Sequence, residues 1–237
     1  MPEEHNWGGI TYGDLSDAQK NFLERIVSDS NRDYLLQGCA GSGKTIIAAH
    51  AVTIIKEKQD KDVKLLVFTK LLAKFIQDGF ENKHIGEDTV QNFHAWRPSS
   101  MYDLVIVDES QDFKSGWINK VKSNSLNQIW LGDASQQLYQ DAKDDGAFED
   151  ISEEINDSDT FELKINYRNS ISIAQLAKAF ITINDSDLRS HITLNQKIDD
   201  FIRPIAANDR QISGANNQPN LFVEARNESE ELDAIAE

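Results

Sequence analysis

The sequence predicts an α/β fold, a parallel sheet with helices on both faces. Three observations carry that expectation. Short apolar runs alternate with stretches of helical periodicity over the first two-thirds of the chain. A glycine-rich segment, Gly38-Cys39-Ala40-Gly41-Ser42-Gly43-Lys44-Thr45, joins one such run to one such helix. The acidic pair Asp108-Glu109 follows a run, Leu104-Val105-Ile106-Val107, of the kind that is buried on both faces.

The elements follow in order. Ser16 stands before apolar residues at Phe22, Leu23, Ile26 and Val27, with Asp17 in the first turn, which predicts a capped amphipathic helix. Tyr34-Leu35-Leu36 is a short strand leading into the glycine-rich segment, and Ile46 to Lys56 reads as the helix after it. Lys64 to Thr69 is a second strand, and Leu71, Leu72, Phe75 and Ile76 mark a helix. Thr89 to Phe93, Leu104 to Val107 and Gln128 to Leu131 are further strands. Residues 141–162 carry ten acids and one lysine, with Phe148, Ile151 and Ile155 at helical spacing, which reads as a solvated acidic helix. Phe161 to Ile165 alternates as a strand, and residues 171–183 read as a helix. Residues 184–219, rich in Asn, Asp and Ser, are expected to be irregular; a strand at 221–223 and a helix beginning at 228 close the chain.

With 237 residues there is room for one well-buried α/β domain and part of another. Apolar runs are broken within a few positions, so no segment approaches the ~20 residues that span a bilayer. The acidic start, Met1-Pro2-Glu3-Glu4, has no apolar stretch of a secretory signal. The single cysteine, Cys39, fits a reducing compartment, and the protein is expected to be cytoplasmic. Net charge is -16 and uneven, with 11 acids and 12 bases in residues 38–125 against 22 and 9 in residues 126–237. Phosphate contacts from basic side chains supply most non-specific affinity for nucleic acid, so this balance argues against tight DNA binding by the chain alone.

Gly38 to Thr45 fits G-x-x-x-x-G-K-[ST] between a strand and a helix, the context that gives the motif its meaning. Glycines let the backbone curl so that N–H groups of Gly38, Cys39, Ala40, Gly41, Ser42 and Gly43 can point at phosphate oxygens. The helix N-terminus beyond adds a dipole favourable to anions. Lys44 is expected to reach the β- and γ-phosphates of ATP, and Thr45 to offer its hydroxyl oxygen to Mg²⁺. Cys39 is read as a small filler with no redox role. At the carboxyl end of its strand, Asp108 is placed to hold the Mg²⁺ shell and Glu109 to polarise an attacking water. An acidic turn is the plainer alternative; beside the P-loop, a hydrolytic site is favoured.

Asp108-Glu109-Ser110-Gln111-Asp112, then Leu131-Gly132-Asp133-Ala134-Ser135-Gln136-Gln137-Leu138-Tyr139, then Asn166-Tyr167-Arg168 resemble, in order, three successive motifs of UvrD/Rep-like superfamily 1 DNA helicases. Gln19, in Leu15-Ser16-Asp17-Ala18-Gln19, resembles the family's adenine-reading glutamine. Val67-Phe68-Thr69 and Thr89 to His94 resemble its strand-end motifs that touch single-stranded DNA. The resemblance covers about residues 15–183 and, faintly, 221–237. It implies a first RecA-like, ATP-binding domain over residues 1–158 and the beginning of a second over 159–237. It implies that Gln136 contacts the γ-phosphate or catalytic water and that Arg168 is an arginine finger from the second lobe. Thr69, His94 and Tyr139 would then contact single-stranded DNA, the two rings by stacking. The implied activity is ATP hydrolysis coupled to translocation on single-stranded DNA.

Lys44 and Asp108 are 64 positions apart, which leaves little room for the large insertion many relatives carry there. The chain also ends before any counterpart of the family's last two motifs, and its last helix has barely begun at Glu237. It is therefore expected to be the leading part of a longer polypeptide and a poor motor alone, since translocation needs two lobes that close and open. Two other readings compete. One is a nucleotide-dependent switch that does not move on nucleic acid. The other, a small-molecule kinase, leaves Gln136 and Arg168 without a purpose.

Overall fold

The structure is a computed structural model, and it describes residues 6–80, 85, 87, 89–136, 145–168 and 203–204. The chain divides into two compact units, Met1–Asn166 and Tyr167–Glu237, and every element below belongs to the first. The elements expected at 171–183, 221–223 and beyond 228 lie outside the described residues, as does all of 184–219 except 203–204.

Two short strands, β1 (Asn6–Trp7) and β2 (Ile10–Thr11), form an antiparallel hairpin across Gly8-Gly9. Helix α1 (Asp17–Ser28) follows, then β3 (Tyr34–Gly38), α2 (Lys44–Gln59), β4 (Val63–Val67) and α3 (Lys70–Gly79). Next come β5 (Val90–Asn92), β6 (Tyr102–Val107), α4 (Ser115–Lys122), β7 (Ser125–Gly132), α5 (Ala147–Glu154) and β8 (Thr160–Leu163). Six strands form one sheet in the order β5-β4-β6-β7-β3-β8, and every neighbouring pair is parallel. This is the predicted fold class, a RecA-like parallel sheet flanked by helices. Strand β8 completes that sheet within the first compact unit, Met1–Asn166.

Because successive strand residues point to opposite faces, each strand feeds two cores. Tyr34, Leu36, Leu65, Leu104, Ile106, Ile129 and Leu131 join the layer under α1, α2 and α3. Leu35, Leu66, Val105, Val107 and Trp130 join the layer with Phe113, Ile118, Val121, Phe148 and Ile151. That second layer corrects the reading of the acidic helix. Its acids Glu149 and Asp150 face solvent, but Ala147, Phe148 and Ile151 are buried, so α5 is a packed wall of the sheet. Gly132 makes the close approach: a Cβ there would lie 2.6 Å from the Phe148 ring.

The hairpin, which carries no strong sequence signal beyond Gly8-Gly9, anchors the end of α3. Trp7 is buried and its indole N–H donates to the Ile76 carbonyl at 3.0 Å. At the amino edge of the sheet, Asp33 accepts the Gln128 N–H at 2.7 Å, and Arg32 pairs with Asp159 at 3.1 Å. Among the described residues no helix is long and apolar enough to cross a membrane.

Candidate nucleotide site

Parallel strands bring all their carboxyl ends to one edge, and β7 lies between β3 and β6. The loop after β3, the acidic pair after β6 and Asp133 after β7 therefore converge. Such an edge is where α/β sheets take ligands.

The loop from Gly38 to Thr45 turns on Gly41 (φ 72°) and Gly43 (φ 91°), both left-handed. Gly43 is the residue before α2, and a Cβ on it would fall onto the Gln19 carboxamide. Lys44 is buried, and its ammonium donates to the Gly38 carbonyl at 2.5 Å and the Cys39 carbonyl at 3.5 Å. Cys39 is also buried, and burial pushes its thiol up to about 11, which suits the filler role.

Gln19 is tied at both ends of its amide. Its oxygen accepts the Ser16 N–H at 2.8 Å, while the Ser16 hydroxyl accepts the Gln19 N–H at 3.4 Å, a reciprocal capping box on α1. Its NH₂ donates to the Ser42 carbonyl at 2.8 Å, across the P-loop. In the sequence Ser16 and Asp17 signal the cap; the reciprocal bond from Gln19 and its bond to Ser42 carry no signal.

The Thr45 hydroxyl donates to Asp108 Oδ2 at 2.6 Å, joining positions 63 residues apart. Asp108 is fully buried. Its carboxyl is pushed up to about 6, mainly by burial and then by the neighbouring Glu109 charge, with Thr45, Lys44 and the Glu109 N–H opposing. Glu109 stands in the left-handed region (φ 55°), a costly conformation for a residue with a side chain, and its N–H donates to Asp108 Oδ1 at 3.0 Å. Two hard oxygens meeting at Thr45 and Asp108 fit Mg²⁺, which commonly takes one or two protein ligands and completes its shell from phosphates and water. Among the described residues no group of three or more His, Cys, Asp or Glu side chains forms a metal cage.

Sequence reasoning left one member of this group without a role. Gln111 is buried between Glu109 and the backbone of Asp133, bonded to both. Gln136 donates to the Asp133 carboxylate at 2.5 Å. The sequence names Gln111 only as part of Asp108–Asp112; its bonds to Glu109 and Asp133 appear only in three dimensions.

Along the same edge, Thr69 and His94 follow the paired strands β4 and β5. The Thr69 hydroxyl accepts the Leu72 N–H at 3.1 Å and so caps α3. His94 is exposed and stands edge-on to Phe68 (5.3 Å) and Trp117 (5.0 Å). Phe68 and Trp117 are both partly exposed; the sequence names Phe68 only within Val67-Phe68-Thr69 and does not single out Trp117. Arg168 is exposed and belongs to the second unit, and Tyr139 lies outside the described residues.

No curated protein matches the chain. Among solved structures it is similar to the Pif1 helicase of Candida albicans, at 19% identity over 63% of this chain and 39% of that one, with a TM-score of 0.38. It is also similar to Bacteroides sp Pif1 in complex with ADP-AlF4, at 16% identity over 73% of this chain and 47% of that one, TM-score 0.44. A third likeness is to a structure of two coordinating Pif1 helicases unwinding forked double-stranded DNA, at 15% identity over 70% and 48% of the two chains, TM-score 0.44. The chain thus spans less than half the length of each of these structures. A family model described as an AAA domain matches residues 14–203, most of the sequence, and the chain belongs to that family.

Proposed function

We propose that this chain is the ATP-binding and hydrolysing lobe of a superfamily 1 DNA helicase or translocase acting on single-stranded DNA. The observation that carries the reading is the 2.6 Å bond from Thr45 to Asp108, which joins the P-loop to the acidic strand end as one site. Lys44 leaves two neutral carbonyls for the β- and γ-phosphates of ATP, exchanging ordinary acceptors for charged ones that bind an ammonium more strongly. Thr45 and Asp108 would hold Mg²⁺, which would neutralise charge developing on the phosphate oxygens. Glu109, partly exposed beside them, takes a proton from the attacking water. Gln136 senses the γ-phosphate or that water, and Arg168 supplies positive charge from the second lobe, for which the order of the three helicase-like motifs is the support.

Beyond its bonds to Ser16 and Ser42, the Gln19 amide keeps one N–H and one lone pair, the complement of adenine's N7 and amino group. Thr69, His94 and Tyr139 form the proposed path for single-stranded DNA, supported by the cluster of Phe68, His94 and Trp117, whose rings meet edge-on or tilted and could offer faces to bases. The UvrD/Rep-like assignment rests on the residues of 108–112, 131–139 and 166–168, and the division into a first lobe and a partial second lobe rests on the same series. The single, buried cysteine supports a cytoplasmic protein.

The test is ATP hydrolysis with Mg²⁺, with and without single-stranded DNA. Nucleotide binding is expected to be lost in Lys44→Ala. In Glu109→Gln binding should persist while turnover falls ~100-fold or more. Turnover that ignores both substitutions would reject the site. Nucleotide binding without DNA-stimulated turnover, together with ATP-dependent capture of a protein partner, would favour the switch, a reading the acid excess of residues 126–237 supports.

A further inference from the structure

We propose that Gln111 is a positioning residue that ties Glu109 to the Asp133–Gln136 turn through a single carboxamide. The proposal rests on the reading of Glu109 and Gln136 as parts of a hydrolytic site.

Gln111 is 2% exposed, so each end of its amide must find a partner inside the protein. Its NH₂ donates to Glu109 Oε2 at 2.8 Å, and its oxygen accepts the Asp133 N–H at 3.1 Å. A carboxylate only accepts and a backbone N–H only donates, so these partners fix which way round the amide lies. Asp133, itself buried, then accepts the Gln136 NH₂ at 2.5 Å on Oδ2. Three hydrogen bonds therefore run unbroken from Glu109 to Gln136.

Both ends of this chain are short, shaped segments. Glu109 is held in left-handed backbone with its N–H on Asp108, so its carboxylate has few ways to move except about its own side-chain torsions. Gln111 restrains those torsions. At the other end Ala134–Gln136 is a single 3-10 turn after β7, the strand that separates β3 from β6. A displacement of that turn toward a phosphate pulls on the Asp133 backbone and reorients the Glu109 carboxylate. The water-polarising group and the group sensing the γ-phosphate are thus set together. Glutamate at 111 would keep the acceptor for Asp133 but set a second carboxylate against Glu109; methionine would fill the space and bond neither.

The experiment has two arms on the full chain. In the first, amide resonances of nitrogen-15-labelled protein without nucleotide are compared across variants. Glu109→Gln is expected to shift the Asp133 backbone amide, and Gln111→Met to abolish that response. An Asp133 amide blind to Glu109→Gln, or one that responds equally in the Gln111→Met background, overturns the tie. In the second arm, Gln111→Glu is expected to lower kcat for ATP by ~10- to 100-fold with KM within about twofold, the pattern of a lost orientation rather than a lost binding contact. Unchanged kcat with raised KM would also overturn it. If Lys44→Ala hydrolyses ATP as well as the wild type, or the wild type does not turn over, the hydrolytic reading fails and the resonances alone decide the tie.

Discussion

Asp108 shows what a single side chain sets in this fold. Its burial is complete, and the same burial that readies it for a divalent cation makes its charge costly without one. Because its pKa is raised to about 6 in the folded chain and is ordinary when unfolded, the sign of the linkage is clear. Its contribution to stability is full below about pH 4 and is lost as pH rises through about 6. The span corresponds to about 3 kcal/mol. Asp108→Asn is therefore expected to be more stable than wild type by up to that amount above pH 6 and level with it near pH 4, read by denaturant unfolding in the presence of a chelator. A less stable Asn variant at pH 7.5 would contradict this account.

At the scale of elements, the capping box and the packed acidic helix make separable predictions. Ser16→Ala removes one side of the α1 cap and should cost about 1 kcal/mol in urea unfolding. Gln19→Ala removes the other side and also the donor to the Ser42 carbonyl, so it should weaken ATP binding as well. An affinity for ATP unchanged in that variant would reduce Gln19 to a cap. Phe148→Ala should cost about 3–5 kcal/mol, because the ring fills the space over Gly132, whereas Glu149→Gln on the exposed face should be near neutral. Elements of this kind differed in how legible they were. The parallel strands could be read because burial on both faces leaves a continuous apolar run, as in Leu104 to Val107. The P-loop and the acidic pair could be read because their chemistry depends on spacing along the chain. Gln111 could not, since its two partners are set by how β6 and β7 end beside one another. Nor could the hairpin at Trp7, whose strands are two residues each, or the inward face of α5, masked by the acids around it.

At the largest scale, the first unit is built on a sheet that its own last strand completes. Strand β8 pairs with β3, and the carbonyl of its last residue, Leu163, accepts the Cys39 N–H at 3.2 Å, so the nucleotide loop is braced by the end of the first unit. A chain truncated after Arg168 is therefore expected to keep a cooperative thermal transition and a Lys44-dependent shift of that transition by MgATP. Loss of either would show that the second unit is needed to form the first. Charge also acts at this scale. With 22 acids in residues 126–237, any DNA binding should weaken steeply with added salt only where the near-neutral residues 38–125 supply the contacts.

Burial of Cys39 has a use in the laboratory. Its thiol is shut away and held in the unreactive, protonated form, and it is the chain's only cysteine. A cysteine introduced at the exposed Lys58, on the last turn of α2 and away from the loop that begins that helix, should accept one maleimide per chain without any prior replacement of Cys39. A dye or a biotin tether attached there would hold the molecule by the end of α2 remote from the P-loop, leaving that loop open for single-molecule observation.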